Sequence, residues 1–479
     1  MKRIFFICML MLIVALISCA GADNAPNKTT NQIESEETAE VVKLNLPSLD
    51  FGGDEVCFLL VKESRDYYTS FEIYAEEQTG GLINDSVYSR NIVIEDLLNI
   101  KITGTWSLTA YADAGKALTA DETTYDVVMT YMHDTISLAQ QGFMMDLLAL
   151  KYLDLEQPWW DQRANDNLMV NGKLFLTTGD LSILDKDCTM AIFFNKKMIN
   201  DYELENPYQL VFDNKWTIDK VFEMGEAVTE DVNGDGKFNA EDQWGLTMAS
   251  NAPHSMFFGA GERIAKNVND ELQIVMYNPR SADVLDKIFR HVENPLIYTN
   301  RIGDTSYATV NKMFLEGRAM IVTYAVVSYS DIKVRDAEFE FGILPYPLYE
   351  ETQDDYNNFI STSLVASTSV PYNCRNTDMV GAALEAMAYY STDTLKVAYY
   401  ETALKTRYAR DNESGEMLDI IFATRVYDMG YIYNWGGIGN LIENMYTSRR
   451  NTFVSEYQKI EEKVLTDMQK TISEFLAIK

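Results

Sequence analysis

Short apolar runs alternate along the first part of the chain with stretches whose apolar residues recur at helical spacing. The continuous apolar run at residues 56–61 predicts a strand that is buried on both faces. A helical pattern near 87–98, a strand at 100–103, a helix near 111–118 and a strand at 125–131 follow it. This alternation predicts a parallel sheet with crossover helices.

The carboxyl ends of such strands are where ligands bind in α/β sheets, which here points to residues 130–133. A second α/β region extends over residues 191–345 and begins with a strand at 191–195. Within it Thr217 is a suitable N-cap for a helix. Apolar residues at helical spacing predict a packed helix over 456–476 near the end of the chain.

The N-terminus has the pattern of a targeting segment. Lys2 and Arg3 precede an almost wholly apolar run, residues 4–17, which is short for a membrane span. The sequence Leu-Ile-Ser-Cys at 16–19 resembles the lipobox of bacterial lipoproteins. That resemblance implies that residues 1–18 are a signal peptide and that Cys19 becomes the lipidated first residue. The alternative is an ordinary secreted protein in which this Cys is incidental.

The residues after this segment lack apolar periodicity. Residues 20–45 are rich in Ala, Asn, Thr and Glu, so residues 19–49 are expected to be a flexible tether that begins with the lipidated Cys. The remaining chain, about 430 residues, is too long for one core and predicts two lobes. We expect the body to lie outside the cytoplasmic membrane and to be anchored to it by lipid.

The chain is strongly acidic, with a formal net charge of −32. Loss of the signal segment removes two of the 40 basic residues and none of the 72 acidic ones. Such a body should be repelled by nucleic acid and by anionic lipid. The three cysteines outside the N-terminal region are widely spaced, and the three histidines match no metal-binding spacing, so neither a disulfide framework nor a zinc site is expected.

Residues 231–242, DVNGDGKFNAED, match the ligand pattern of a calcium loop. Gly236 occupies the sixth place, where the backbone turns sharply, and an Asp closes the loop where a longer Glu is usual. Calcium prefers six to eight oxygen ligands, which suits this series of short side chains. The alternative is a solvated turn; if calcium binds, we expect a structural role. The predicted ligands are Asp231, Asn233, Asp235, the carbonyl of Lys237, Asn239 through water, and Asp242.

Several segments, taken in order, resemble the extracellular solute-binding proteins of carbohydrate-type ABC importers (family 1). Each is weak alone, but their shared order over some 300 residues behind a lipobox is more specific. The segments are YDVV at 125–128, GFMMDL at 142–147, NGKLF at 171–175, FFNK at 193–196, WTID at 216–219, FLEGRAM at 314–320 and FGILPYP at 341–347.

The resemblance implies a two-lobed periplasmic-binding-protein-like fold (type II), with discontinuous α/β lobes joined by hinge strands and a ligand held between them. Lobe 1 would comprise residues 50–177 and 361–412, and lobe 2 residues 182–358 and 413–479. The chain would then cross between lobes near 177–182, 358–361 and 410–413.

Sugars offer apolar faces that lie on aromatic rings and hydroxyls that need planar polar partners. Adjacent tryptophans on a regular element cannot both face one core, so we expect one of Trp159 and Trp160 to be exposed or at a cleft edge. A structural role in packing is the alternative for each candidate. The two glycines at 436 and 437 indicate a loop that presents the rings of Tyr433 and Trp435. The predicted ligand-binding residues are Tyr131, Trp159, Trp160, Asp180 at a hinge, Tyr324, Tyr433 and Trp435.

The leading hypothesis is therefore a non-enzymatic binding protein that captures a sugar or oligosaccharide and delivers it to an ABC permease. A surface glycoside hydrolase is the second class, since acidic residues are abundant. The sequence has no Gly-x-Ser-x-Gly, His-Glu-x-x-His, Gly-x-x-x-x-Gly-Lys or Gly-x-Gly-x-x-Gly run, which weakens the case for catalysis. A helical glycan-binding lipoprotein is disfavoured by the strand–helix alternation, and a peptide or another solute is an open alternative as ligand.

Overall fold

The computed structural model describes residues 42–64, 68–268, 271–325, 337–401 and 412–478, with the backbone alone at 324 and 325. Leu44–Lys479 form one compact unit. The predicted signal peptide, Cys19 and most of the predicted tether lie outside the described residues. Among the helices that the structure describes, none is long and apolar enough to cross a membrane.

The compact unit begins earlier than the predicted end of the tether at residue 49. Leu44, Leu46 and Leu49 are partly buried and pack against the main hydrophobic core, while the residues between them are exposed. Their spacing places them on one side of a segment without helix or strand structure. The apolar residues of this stretch therefore belong to the folded body.

The first part of the chain builds a parallel sheet covered by helices. Its elements are β1 (Asp54–Val61), α1 (Leu82–Leu98), β2 (Ile100–Ser107), α2 (Ala110–Thr119), β3 (Val127–Tyr131), α3 (Met132–Gln140), a 3-10 helix (Leu147–Ala149) and α4 (Gln162–Leu168). Strand β1 lies between β2 and β3 and is parallel to both. The predicted strand–helix alternation is confirmed, with bounds that differ by a few residues.

The second part of the chain builds a mixed sheet. Its elements are α5 (Leu184–Asp187), β4 (Met190–Asn195), α6 (Lys196–Asp201), α7 (Pro207–Phe212), α8 (Ile218–Val228), β5 (Trp244–Thr247), α9 (Ala252–Gly259), β6 (Ala265–Val268), β7 (Glu271–Ile274), α10 (Pro279–Val292), α11 (Tyr307–Leu315), β8 (Ala319–Ala325), β9 (Phe341–Leu344) and β10 (Asn358–Phe359). The sheet order is β5-β8-β4-β9, and β5 and β8 are its parallel pair. Helix α8 starts where predicted, because the Thr217 side chain accepts a hydrogen bond from the Lys220 amide.

The last part of the chain contributes to both sheets. Its elements are β11 (Ala366–Ser369), α12 (Thr377–Asp393), α13 (Leu395–Tyr399), α14 (Asn412–Ala423), β12 (Arg425–Val426), α15 (Met429–Tyr433), a 3-10 helix (Trp435–Asn440), α16 (Leu441–Ser448) and α17 (Phe453–Ala477). Strand β11 pairs antiparallel with β3 and gives the first sheet the order β11-β3-β1-β2. Helices α12 and α13 pack on α1, whereas α14 packs on β9 of the second sheet.

The passages of the chain between the two sheets follow from these pairings. Thr177 still exchanges backbone hydrogen bonds with Thr368 of β11, and the second sheet begins at Met190. The return passage leads through β10, which pairs with β12, to Ala366. A further passage lies between α13 and α14, and residues 402–411 of it lie outside the described part of the chain.

Candidate functional site

A cavity of about 750 Å³ lies beside the first of these passages and the start of the last one. We call it the crossing cavity. Residues 158–163 and Gly179–Asp180 from the first part of the chain line it, together with Lys186 of α5. Its other walls come from the adjoining ends of α12 and α13 and from α14 with Arg425 of β12. Stretches that pack on either sheet therefore line one open cavity.

Trp159 and Trp160 line this cavity, but both are almost fully buried, with exposures of 3% and 2%. Of the two predicted alternatives, exposure is therefore wrong, whereas a position at a cleft is what the structure shows. The two residues lie on an irregular segment, so both indoles can turn to one partner, the Glu385 carboxylate of α12. Trp159 Nε1 donates to it at 3.1 Å and Trp160 Nε1 at 3.0 Å.

Gly179 lets the backbone of the Trp pair pass close to the chain crossing. Gly179 and Trp160 form a β-bridge, and the Asp180 amide donates to the Trp159 carbonyl at 2.8 Å. A Cβ atom at position 179 would lie 2.3 Å from that carbonyl oxygen. Only glycine fits here, so the Trp pair and Asp180 are held in a fixed relation.

Asp180, a predicted ligand residue, also lines the cavity and is 8% exposed. Its Oδ2 accepts hydrogen bonds from Thr392 Oγ1 at 3.0 Å and from Lys396 Nζ at 3.1 Å. This carboxylate is thus fixed between the crossing and the helices that pack on α1.

A buried ion pair, Asp161 with Arg425, also lines the cavity. Arg425 Nη2 and Nε donate to Asp161 Oδ2 at 2.6 and 3.1 Å, and Tyr427 OH donates to the same oxygen at 2.9 Å. Burial alone would raise the pKa of Asp161, but Arg425 outweighs it and holds this pKa below its ordinary value. Arg425 Nη1 is buried without a hydrogen-bond partner in the described part of the chain.

Two aromatic rings of the cavity were missed by the sequence analysis. Tyr400 and Phe422 meet edge to face with centroids 5.9 Å apart, and Tyr400 is the more exposed of the two. Burial raises the pKa of the Tyr400 phenol, which therefore stays protonated. Both rings lie more than 200 positions from the Trp pair, so no local sequence signal brings them together.

A second aromatic group that the sequence analysis missed lies at the carboxyl edge of β1 and β2. The Trp106 ring contacts Phe71 and Tyr74, with centroids 6.3 and 5.9 Å apart, and its Nε1 donates to the Ser70 carbonyl. Phe71 is 46% exposed. Ligands of α/β sheets bind at this edge, so the group is a second place where a sugar could stack.

The other predicted ligand residues lie elsewhere. Tyr131 ends β3, packs against Val61, Leu184 and Ala366, and donates to the Tyr68 carbonyl at 3.3 Å. The backbone of Tyr324 pairs with Ala191 in the second sheet, and its side chain lies outside the described structure.

Tyr433 and Trp435 are not presented by a loop, so that interpretation is corrected. Their rings stack at 4.9 Å, and Trp435, which is 3% exposed, donates through Nε1 to Thr471 Oγ1 of α17 at 2.9 Å. The ring of Tyr433 meets Phe475 of the same helix. Both side chains serve to pack α17 on the body.

The loop at 231–242 is folded around its own acidic and amide side chains. The Asp231 carboxylate accepts from the amides of Gly234 and Gly236, and Asp235 accepts from Lys237. The Asn233 side chain accepts from the backbone amide of Asp235, and the Asn239 side chain accepts from that of Glu241. Asp242 Oδ2 accepts from the backbone amide of Asn239. Within the described residues, no three His, Cys, Asp or Glu side chains converge as a metal cluster.

One atom of this loop departs from the pattern of satisfied side chains. Asp242 is fully buried, and its Oδ1 has no hydrogen-bond partner in the described structure. A buried carboxylate oxygen without a donor is costly, and a cation would satisfy it. The side chains of the loop are therefore of the type that binds calcium. The carboxylates of Asp231, Asp235 and Asp242, however, do not converge on one point in this structure.

The arrangement of the two sheets is that of the two-lobed α/β solute-binding proteins, and solved structures with this fold match the chain. No protein-family model and no curated protein matches it. A cyclo/maltodextrin-binding protein complexed with maltotetraose gives a TM-score of 0.57 at 15% identity, covering 89% of this chain and 98% of the other.

Two further structures are similar over the same extent. The maltose/maltodextrin-binding domain MalE from Bdellovibrio bacteriovorus, bound to maltotriose, gives a TM-score of 0.50 at 16% identity, covering 88% of this chain and 99% of its own. The ABC substrate-binding protein Lmo0181 from Listeria monocytogenes, in complex with cycloalternan, gives 0.51 at 12% identity, covering 89% and 100%. At such identities the likeness establishes the fold, and the type II fold predicted from the sequence is confirmed.

Proposed function

We propose that this chain is an extracytoplasmic solute-binding protein that captures an oligosaccharide and delivers it, chemically unchanged, to an ABC permease. The fold supports this proposal, because the three similar structures are binding proteins described with maltotetraose, maltotriose and cycloalternan. A shared fold does not determine the ligand, so the ligand class has to be inferred from the residues of the site.

The crossing cavity is the observation on which the proposal depends. Its volume of about 750 Å³ lies within the range of small-molecule sites. It combines aromatic rings with planar charged groups that are already fixed by partners, namely Asp180 and the Asp161–Arg425 pair. A sugar could donate hydroxyl protons to these carboxylates and offer oxygens to Arg425 Nη1.

Titration calorimetry and thermal unfolding with maltotetraose, maltotriose and cycloalternan test the proposal, with a neutral tetrapeptide as comparator. A true ligand at 100 times its Kd should stabilise the protein by about 2.7 kcal/mol through mass action. The sugars should be recovered intact after incubation. Stabilisation by the peptide alone would contradict the sugar assignment, and release of shorter sugars would favour a hydrolase.

Tyr400→Ala should weaken sugar binding by about tenfold, because the variant loses the most accessible ring of the cavity. Tyr111→Ala, which removes an exposed ring of α2, is the matched control and should leave the affinity unchanged. The affinity is measured by calorimetry on both variants. Loss of binding in Trp106→Ala with full binding in Tyr400→Ala would instead place the sugar at the edge of β1 and β2.

We also propose that a lipid on Cys19 anchors the mature protein to the outer face of the membrane, where it would meet its permease. The lipobox-like residues 16–19 support this. Radiolabelled palmitate should label the expressed protein, and Cys19→Ala should abolish the label and release the protein from the membrane fraction.

We also propose that the loop at 231–242 binds a calcium ion with a structural role. The buried, unpartnered Oδ1 of Asp242 and the oxygen-rich ligand set support it. Calcium should raise the thermal unfolding temperature, and a chelator should reverse the effect. Asp231→Asn should weaken the response, whereas Asp283→Asn on the exposed face of α10 should retain it. If the unfolding temperature is the same with and without calcium, the proposed calcium site is refuted.

A further inference from the structure

Glu385 lies between the Trp pair and a second, smaller cavity. This cavity has a volume of about 300 Å³ and is lined by Glu385, Trp159 and polar residues of the segment 151–157. Trp159 therefore forms a wall that the two cavities share. A change at the Glu385 carboxylate on one side can reach the other side through this ring.

The Glu385 carboxylate accepts three hydrogen bonds. Oε1 accepts from Trp159 Nε1, while Oε2 accepts from Trp160 Nε1 and from the Asp154 amide at 3.1 Å. An ionised carboxylate is an acceptor only and suits three donors. A protonated acid carries an O–H group, so one of its oxygens becomes a poorer acceptor for an indole N–H.

The environment of Glu385 places the protonation of its carboxylate near neutral pH. Burial raises the pKa of Glu385 to about 7, although the hydrogen bonds from Trp160, Asp154 and Trp159 oppose the increase. The charged and titratable groups around it are Lys151, Tyr152 and Asp154 on the facing segment and Tyr389 on its own helix. Among these, the negative charge of Asp154 adds to the increase.

We propose that Glu385 is a positioning residue, through which proton binding in the small cavity shifts the Trp159–Trp160 wall of the crossing cavity. Ligand binding should then weaken as the pH falls through neutrality. This deepens the proposed function and depends on it for the ligand effect. The movement of the Trp pair itself needs no ligand.

The indole fluorescence of the ligand-free protein tests the movement directly. Between pH 5.5 and 8.5 the emission of the wild type should follow a single titration near neutrality. The titration should disappear in Glu385→Gln and lose most of its amplitude in the Trp159→Phe/Trp160→Phe double variant. Glu262→Gln is the matched control, because this buried glutamate bonds to Arg280 and Ser281 and to no tryptophan. A flat wild-type profile, or one unchanged in Glu385→Gln, would overturn the proposal.

Calorimetry with maltotetraose provides the second arm. The wild type should bind about tenfold more weakly at pH 6 than at pH 8, as expected for the loss of one charge-assisted hydrogen bond. Glu385→Gln should show the same affinity at both values. If maltotetraose binds at neither pH, the sugar assignment fails while the fluorescence titration still decides the role of Glu385. Binding that is equal at both pH values would refute the coupling.

Discussion

At the scale of single residues, the buried acid Glu72 is unusual because its charge has little compensation. Glu72 is fully buried, and neither carboxylate oxygen has a hydrogen-bond partner in the described structure. Arg90, which is also buried, directs its hydrogen bonds to Asn91, Ser391 and the Ile73 carbonyl. Burial, with the negative charges of Asp187 and Asp185, raises the pKa of Glu72 to about 8.

This pKa predicts that the protein loses stability as the pH rises from about 4.5 to about 8. Between the ordinary pKa of 4.5 and the native value of about 8, the folded protein holds a proton that the unfolded chain releases. The free energy of unfolding should therefore fall as the pH rises through this window, by on the order of a few kcal/mol. Glu72→Gln should remove this part of the fall in urea unfolding from pH 5 to 8. An equal slope in Glu72→Gln and in the exposed control Glu77→Gln would contradict the prediction.

Trp435→Ala should destabilise the protein by about 3–5 kcal/mol, because the side chain is buried against α17. Sugar affinity of the folded variant should equal that of the wild type. Urea unfolding and calorimetry measure the two quantities. A variant of normal stability with weakened sugar binding would restore Trp435 as a ligand residue.

Single-residue patterns indicated candidate residue types but not which residues meet in the fold. The adjacent tryptophans marked the cavity, but their partner Glu385 is more than 220 positions away and has no local signal. The two glycines after Trp435 suggested a loop that presents rings. Gly436 has φ +58°, and a Cβ on it would lie 2.8 Å from the Val464 amide, so it allows close packing on α17.

At the scale of elements, a glycine contact joins α8 to β5 on either side of the loop at 231–242. A Cβ atom on Gly245 of β5 would lie 1.9 Å from the Gly225 carbonyl oxygen of α8. The Gln243 and Glu230 backbones also pair across the base of the loop. The loop is thus attached to a helix–strand pair that cannot separate without exposing core.

Gly245→Ala should cost at least about 1–3 kcal/mol, because the two backbones would have to move apart. Gly415→Ala is the matched control, since Gly415 lies within α14 and a Cβ there would meet nothing within 4 Å. That variant should gain about 0.5–1 kcal/mol from the better helix propensity of alanine. Urea unfolding measures the free energy of unfolding of both variants. Equal values would show that α8 and β5 can move apart at little cost.

Most elements of the two sheets were predictable from local patterns, because buried parallel strands form continuous apolar runs and the helices between them carry apolar stripes. The end of α1 explains one boundary well: Asn99 adopts φ +48°, and β2 starts at the next residue. Short elements such as β10 and β12, with two residues each, had no such pattern. They exist because the tertiary structure brings their backbones together.

At the scale of the whole molecule, Arg425 links stretches that are distant in the sequence. It bonds to Asp161 in the first part of the chain, and its Nη2 lies 3.4 Å from Asp185 Oδ2 of α5. Lys186 Nζ lies 3.2 Å from the other oxygen of Asp185. These four buried groups balance in charge where the chain passes between the sheets.

Asp161→Asn should destabilise the fold by about 3 kcal/mol, because the buried group of Arg425, Lys186 and Asp185 then carries one unbalanced positive charge. The exposed pair of Lys197 and Asp201 provides the control, and Asp201→Asn should change the stability by less than about 0.5 kcal/mol. Urea unfolding compares the two. Equal and small effects would mean that the Arg425 cluster is as well solvated as a surface pair.

Local patterns could not predict which segments share a lobe. That expectation came from the family resemblance. The pairing that local patterns miss is that of β11, which joins the first sheet across 235 positions. The cavity could not be predicted either, because its walls come from seven separate elements or segments and only their packing brings them together.

The antiparallel pairing of β11 with β3 also affects how the protein is made. The first sheet stays incomplete until residues 366–369 have been synthesised, although its other strands end by Tyr131. At about 5–20 residues per second, a ribosome needs roughly 10–50 seconds to cover that interval. A nascent chain that cannot close its first core during this time suits the export that the proposed location outside the membrane requires.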